Sequence, residues 1–177
     1  PQIVGPFYPL TERPDLGADL ARPSGSAAEA HGELVYVTGR VVTCSGDPVA
    51  HARIEIWQAN AAGKYRHPSD TNPAPLDPNF RGFAQLTTDA AGRYAFRTVK
   101  PGRYPMPDGE MRPQHIHCLV EGRIDRLVTQ LYFAGEPENA TDRWLNSLPQ
   151  PERLLVTLQA PPLIFSIQKS ESQVQHT

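Results

Sequence analysis

A chain of 177 residues is long enough for one domain with a real hydrophobic core and no covalent staple. Its formal net charge of -2 gives no electrostatic case for nucleic acid or an anionic membrane, and no stretch approaches the roughly 20 apolar residues of a spanning helix. Cys44 and Cys118 are too few for a disulfide framework and no basic-then-apolar leader opens the chain, so a soluble, cytoplasmic protein is expected.

The 19 prolines and 13 glycines fall in short clusters with few helical periods between them, the pattern of many short strands joined by turns. The predicted class is all-β: a two-sheet β-sandwich with long active-site loops at one edge and an N-terminal arm. Residues 1–33 form the arm, which opens with Gly5-Pro6-Phe7-Tyr8-Pro9 and continues without periodicity. Tyr8 reads equally as an anchoring aromatic or a pocket residue. Residues 34–168 form the sandwich domain and 169–177 a polar tail.

Leu34 to Thr43 is the first clear strand, followed by the turn Ser45-Gly46-Asp47-Pro48. Ala52 to Ala59 is the second, alternating apolar and polar, and it runs into Asn60-Ala61-Ala62-Gly63-Lys64-Tyr65. Residues 66–83 are a long proline-rich loop, which in a compact domain tends to be functional. After a turn at Thr87 to Gly92, the strand Arg93 to Val99 leads to Pro101-Gly102-Arg103-Tyr104. Tyr65 and Tyr104 thus each follow a glycine turn at a strand end, where a side chain can be aimed into a cleft. His115 to Val120 and Leu127 to Phe133 are further strands, Asp142 to Leu148 a helical turn, and Leu163 to Gln168 a closing strand.

The chemistry concentrates between Arg103 and His117, which hold a phenol, guanidinium groups and two imidazoles. Successive strand side chains alternate faces, so His115 and His117 project from one face and Cys118 from the other, as a packed thiol. Imidazole suits zinc, copper, nickel and iron alike, and a His-x-His pair on a strand is as often packed without a metal. Two phenolates beside it favour a trivalent ion, with ferric iron foremost; ionising a phenol of pKa about 10 near neutrality needs such a cation. Tyr94 and Tyr132 read as core aromatics and Trp57 as packing under the site, while His31, His51, His67 and His176 read as solvent-facing.

Several motifs in order resemble one family: Trp57-Gln58-Ala59-Asn60, Gly63-Lys64-Tyr65-Arg66-His67, Pro75-Leu76-Asp77-Pro78-Asn79-Phe80, Thr98-Val99-Lys100-Pro101-Gly102-Arg103-Tyr104-Pro105, Arg112-Pro113-Gln114-His115-Ile116-His117 and Thr129-Gln130-Leu131-Tyr132-Phe133. The pattern is similar to the intradiol ring-cleaving catechol dioxygenases, above all their protocatechuate-type, iron-bearing beta chains. That resemblance implies Tyr65, Tyr104, His115 and His117 as ligands of Fe(III), with Tyr104 leaving to act as a base. It implies Arg112 as a cation for charge building on the ring and Gln130 beside the oxygen position. Tyr8, Met106 and Arg112 fall at substrate-binding positions. The implied reaction opens protocatechuate or another substituted catechol with O2, between the hydroxyl-bearing carbons, to a cis,cis-muconate. A homo- or hetero-oligomer is implied as well.

Met106 departs from the pattern, standing where those beta chains carry tryptophan, and the loop from Tyr104 to His115 is shorter. Two other readings compete: a non-catalytic sandwich subunit, against which the complete ligand set argues, and a zinc hydrolase, for which no third histidine or carboxylate falls in register.

Overall fold

The computed structural model describes residues 3–10, 17–26, 28–106, 108–149 and 155–156. Its strands are β1 (Leu34–Arg40), β2 (Arg53–Trp57), β3 (Phe83–Thr87), β4 (Arg93–Val99), β5 (Tyr104–Pro105), β6 (Met111–Arg112), β7 (His115–Glu121), β8 (Arg126–Phe133) and β9 (Leu155–Val156). Helix α1 (Arg143–Asn146) is a single turn capped by Asp142. No helix among the described residues is long and apolar enough to cross a membrane.

Five strands form one sheet in the order β3-β2-β7-β8-β9, antiparallel except for the β8 and β9 pair. β1 and β4 form a separate antiparallel pair. Val35, Phe96 and Val99 from that pair meet Ile54, Ile56, Ala84, Ile116, Cys118 and Phe133 from the large sheet in one hydrophobic core. This is the two-layer sandwich, with one layer much the smaller. Alternation puts the β2 residues Glu55 and Trp57 on the other face, where both are buried as well. A second cluster covers that face: Trp57, Leu119, Tyr65 and Tyr104, packed by Val4, Phe7 and Tyr8 of the arm and by Met106 of the β5–β6 hairpin. Both faces are therefore buried, one by core and one by chemistry.

Register fixes what shares that second face. Trp57 pairs with His117, which pairs with Gln130, and His115 pairs with Tyr132. The histidines thus come from strand β7 in the middle of the large sheet, on one face as strand alternation predicted, and the tyrosines come from the turn after β2 and from the hairpin.

Other elements differ from expectation for local reasons. β3 forms where the sequence left a gap between loop and turn, because Phe83–Thr87 completes the hydrogen bonding of β2. β1 ends at Arg40 because the Val41 N–H turns to the Gly92 carbonyl and Val42 makes an isolated bridge to Pro48. β9 lies where no strand was expected. The closing strand Leu163 to Gln168, the polar tail and His176 lie outside the described residues.

Candidate metal centre

The His pair is set by β7. The His115 Nδ1 lies 2.7 Å from the Pro113 carbonyl oxygen. A carbonyl only accepts, so Nδ1 carries the proton and Nε2 presents a bare lone pair. That Nε2 faces the His117 Nε2 at 3.2 Å, a spacing at which two imidazoles share one ion at bond lengths of about 2 Å. The His117 ring stacks on Trp57, centroids 4.8 Å apart and planes 5° apart, and its Nδ1 is buried without a hydrogen bond. Burial, aided by His117 and Arg112, holds His115 well below its ordinary pKa, and burial with Arg112 pushes His117 down to about 3. Both imidazoles are therefore neutral at neutral pH, the form that binds a metal.

The phenols are brought together by two glycines. Gly63 and Gly102 pack so closely that a Cβ on Gly102 would lie 2.4 Å from the Gly63 nitrogen. Both amides donate to the Asn60 carbonyl, at 3.0 and 2.8 Å. The turn before Tyr65 and the turn before Tyr104 are thus one junction, and the two rings meet edge-on with centroids 5.3 Å apart. Tyr104 lies 5.8 Å from His115 and Tyr65 lies 6.3 Å from His117, centroid to centroid. The Tyr65 hydroxyl is buried and forms no hydrogen bond of ordinary geometry, although Tyr104 is near enough to raise its pKa. Burial is the larger cause, lifting both Tyr65 and Tyr104 above the ordinary phenol value.

Arg112 acts on all four groups. Its charge opposes burial at both phenols and reinforces it at both imidazoles. Phenolate and neutral imidazole, the two ligand forms, are both favoured by that one cation. Arg112 is itself buried: Nε donates to Asp142 Oδ2 at 2.7 Å, and Nη2 to Gln130 Oε1 at 2.8 Å and to the Tyr132 hydroxyl at 3.1 Å. Burial alone would lower its pKa, but Tyr104, Tyr132 and Asp142 more than offset this.

A buried phenol oxygen without a hydrogen bond of ordinary geometry and two facing Nε2 atoms fit a metal ion. Among the described residues no three His, Cys, Asp or Glu side chains form a metal-holding group; the donors gathered here are two imidazoles and two phenols. Anionic oxygen with imidazole suits ferric iron better than it suits zinc.

A family model described as Dioxygenase matches residues 3–173. The chain is 44% identical over 152 residues to the protocatechuate 3,4-dioxygenase beta chain of Burkholderia cepacia, which covers 84% of this chain and 65% of that one. The chain belongs to the intradiol ring-cleavage dioxygenase family. The hydroxyquinol 1,2-dioxygenase of Rhizobium sp. is 33% identical, over 79% of this chain and 49% of its own length. The solved 3-chlorocatechol 1,2-dioxygenase of Rhodococcus opacus 1CP superposes with a TM-score of 0.70 at 27% identity, covering 89% of this chain and 64% of that one. The chain thus spans between about half and two thirds of the curated relatives it matches.

Within this intradiol dioxygenase fold, the sequence-derived site residues gather at one place. Tyr65, Tyr104, His115 and His117 share one cluster of rings, and each is no more than 4% exposed. Tyr8 packs edge-on against Trp57, centroids 5.1 Å apart, and donates a short hydrogen bond to Glu55. Burial, then Glu55, raises the Tyr8 phenol to about 12. Met106 joins the same apolar cluster.

Several neighbours were not read from the sequence. Phe7 lies 4.6 Å from the Tyr65 ring and 5.9 Å from the Tyr104 ring. Glu55 is buried two residues before Trp57 on the same face, and the period of two was signal enough to find it. The same period placed Tyr132 beside Gln130; it is a polar partner of Arg112 as well as the core aromatic expected. Asp142 and Trp144 meet Arg112 only through the fold. His67 is half-buried rather than solvent-facing, with its Nδ1 accepting from the Ser69 N–H at 3.1 Å.

Proposed function

We propose that the protein is a non-haem Fe(III) intradiol dioxygenase that uses O2 to cleave a catechol-type substrate, protocatechuate or another substituted catechol, to a cis,cis-muconate. The observation that carries this reading is the His115 and His117 Nε2 pair at 3.2 Å, beside two buried phenols. Tyr65, Tyr104, His115 and His117 would hold the ion. A bound ferric ion supplies Lewis acidity, which favours phenolate and catecholate and draws electron density from the ring.

The chain's own residues supply the rest. The His115 bond to the Pro113 carbonyl and the Trp57 stack under His117 fix both imidazole planes. Tyr104, carried on the two-residue strand β5 rather than in the hydrogen-bonded turn that holds Tyr65, is the phenol suited to leave and take up a proton from a catechol hydroxyl. Arg112 presents fixed positive charge in a site from which water is excluded, so it stabilises negative charge on the ring without solvent reorganisation. Phe7, Tyr8 and Met106 form the apolar cover, where the ring substituents would lie.

The experiment is a visible absorption spectrum of the ferric protein, then anaerobic addition of protocatechuate and, separately, catechol. A phenolate-to-iron band that shifts with one of them supports the reading and identifies the preferred ring. A folded protein that shows no band with iron and no shift would replace it with the non-catalytic subunit.

A further inference from the structure

Helix α1 contributes no candidate ligand, yet the three residues at its start all reach the β5–β6 hairpin. Asp142 accepts from Arg112 Nε at 2.7 Å through Oδ2 and from the Leu145 N–H at 2.7 Å through Oδ1. Its side chain and that of Arg112 are 1% and 5% exposed. Arg143 Nη2 donates to Asp108 Oδ2 at 2.8 Å, and its Nε lies 3.5 Å from Glu110 Oε2. Trp144 carries both guanidinium groups over its ring, Arg112 at 4.2 Å and Arg143 at 4.3 Å from the centroid.

The hairpin needs such support. Its ladder has two residue pairs, Tyr104 with Arg112 and Pro105 with Met111, and its turn adds the Met106 N–H to the Glu110 carbonyl at 2.8 Å and the Gly109 N–H to the Met106 carbonyl at 2.9 Å; an isolated two-stranded ribbon of this size is marginal in water. Tyr104 sits directly across from Arg112, so whatever fixes one fixes the other. The Arg143 pairs are half-exposed and add little. The buried pair is different, because losing either partner strands a charge away from water.

We propose that α1 is a clamp on the β5–β6 hairpin and that Asp142 is the positioning residue that sets where Arg112 presents its charge to Tyr65, Tyr104, His115 and His117. The catalytic half of this inference rests on the dioxygenase reading; the structural half does not. Asp142→Asn separates them from a mere helix cap, because Asn caps a helix as well as Asp does while carrying no charge. In the metal-free variant, amide hydrogen exchange over residues 104–112 should quicken by about tenfold or more, with β7 unchanged. In the iron-loaded variant, kcat should fall by about 100-fold with KM within about twofold.

Exchange that changes only over residues 142–148, or nowhere, overturns the clamp. Loss in KM with kcat kept overturns the positioning role. Should Asp142→Asn fail to fold, Trp144→Leu removes the stacked surface from Arg112 and is read by the same two measurements. A wild-type protein that cleaves no catechol sinks the proposed function, and the exchange result still decides the clamp.

Discussion

One guanidinium pushes two kinds of acid the same way at this site, and the favoured forms differ in charge: anionic phenolate and neutral imidazole. Arg112 lowers the phenols, which must lose protons to bind metal, and lowers the imidazoles, which must not hold one. Burial raises both phenols and Arg112 opposes it at each, so their pKa values do not separate them; their attachment does. Tyr104 is carried by the short hairpin, while the Tyr65 backbone N–H is tied to Asp70 Oδ2 at 2.7 Å. Tyr104→Phe should therefore leave iron on the remaining three donors and slow turnover by about 100-fold, the usual range for a lost acid or base. Iron content per chain measured beside kcat decides it. A folded variant with no iron would make Tyr104 an anchor and remove its base role.

At the scale of elements, the sequence showed a glycine turn before each tyrosine but not that the two turns are one junction. Gly63 and Gly102 lie far apart in the chain, and such a contact leaves no local period to read. The same limit hid β3, whose strand character comes from pairing with β2, and hid Asp142, whose only local signal is a helix cap. The His pair was legible because strand alternation is local. Gly63 has φ of +80° and an added Cβ would lie 2.2 Å from the Arg103 carbonyl oxygen. Gly63→Ala thus combines backbone strain with overpacking and should cost about 2–4 kcal/mol. Gly46→Ala is the control: φ is +92° but nothing lies within 4 Å of the new Cβ, so about 1 kcal/mol is expected. Urea unfolding of both metal-free variants measures the difference, and iron binding should weaken only in the first. Equal costs would mean that the junction yields freely and does not set the tyrosines.

For the whole molecule, the organising fact is a sheet whose two faces are both buried for different purposes. The alternation of Ile54 and Ile56 with Glu55 and Trp57, and of Ile116 and Cys118 with His115 and His117, wrote both faces into the sequence. What covers the second face was only partly legible: the arm with Tyr8 and the position of Met106 were read from the sequence, whereas the contact of α1 with Arg112 comes from a separate part of the chain and leaves no local signal. The core face makes its own prediction about pH. Burial pushes the Cys118 thiol from 9.0 up to about 12, and burial with Cys118 pushes the Tyr94 phenol from 10.0 up to about 12. The unfolded chain therefore loses these protons first, from about pH 9 for the thiol and about pH 10 for the phenol. Stability is complete below those values and falls as pH rises toward 12, by about 1.4 kcal/mol per pH unit for each group once it titrates. Cys118→Ala should lower stability at pH 8 through its small cavity, yet make the decline between pH 9 and 10 shallower, because the thiol titrates there ahead of the raised phenols Tyr8, Tyr65, Tyr94 and Tyr104. Urea unfolding of the metal-free proteins from pH 8 to 12 tests this. An equally steep decline in the variant would place the alkaline sensitivity elsewhere than in the core between the two sheets.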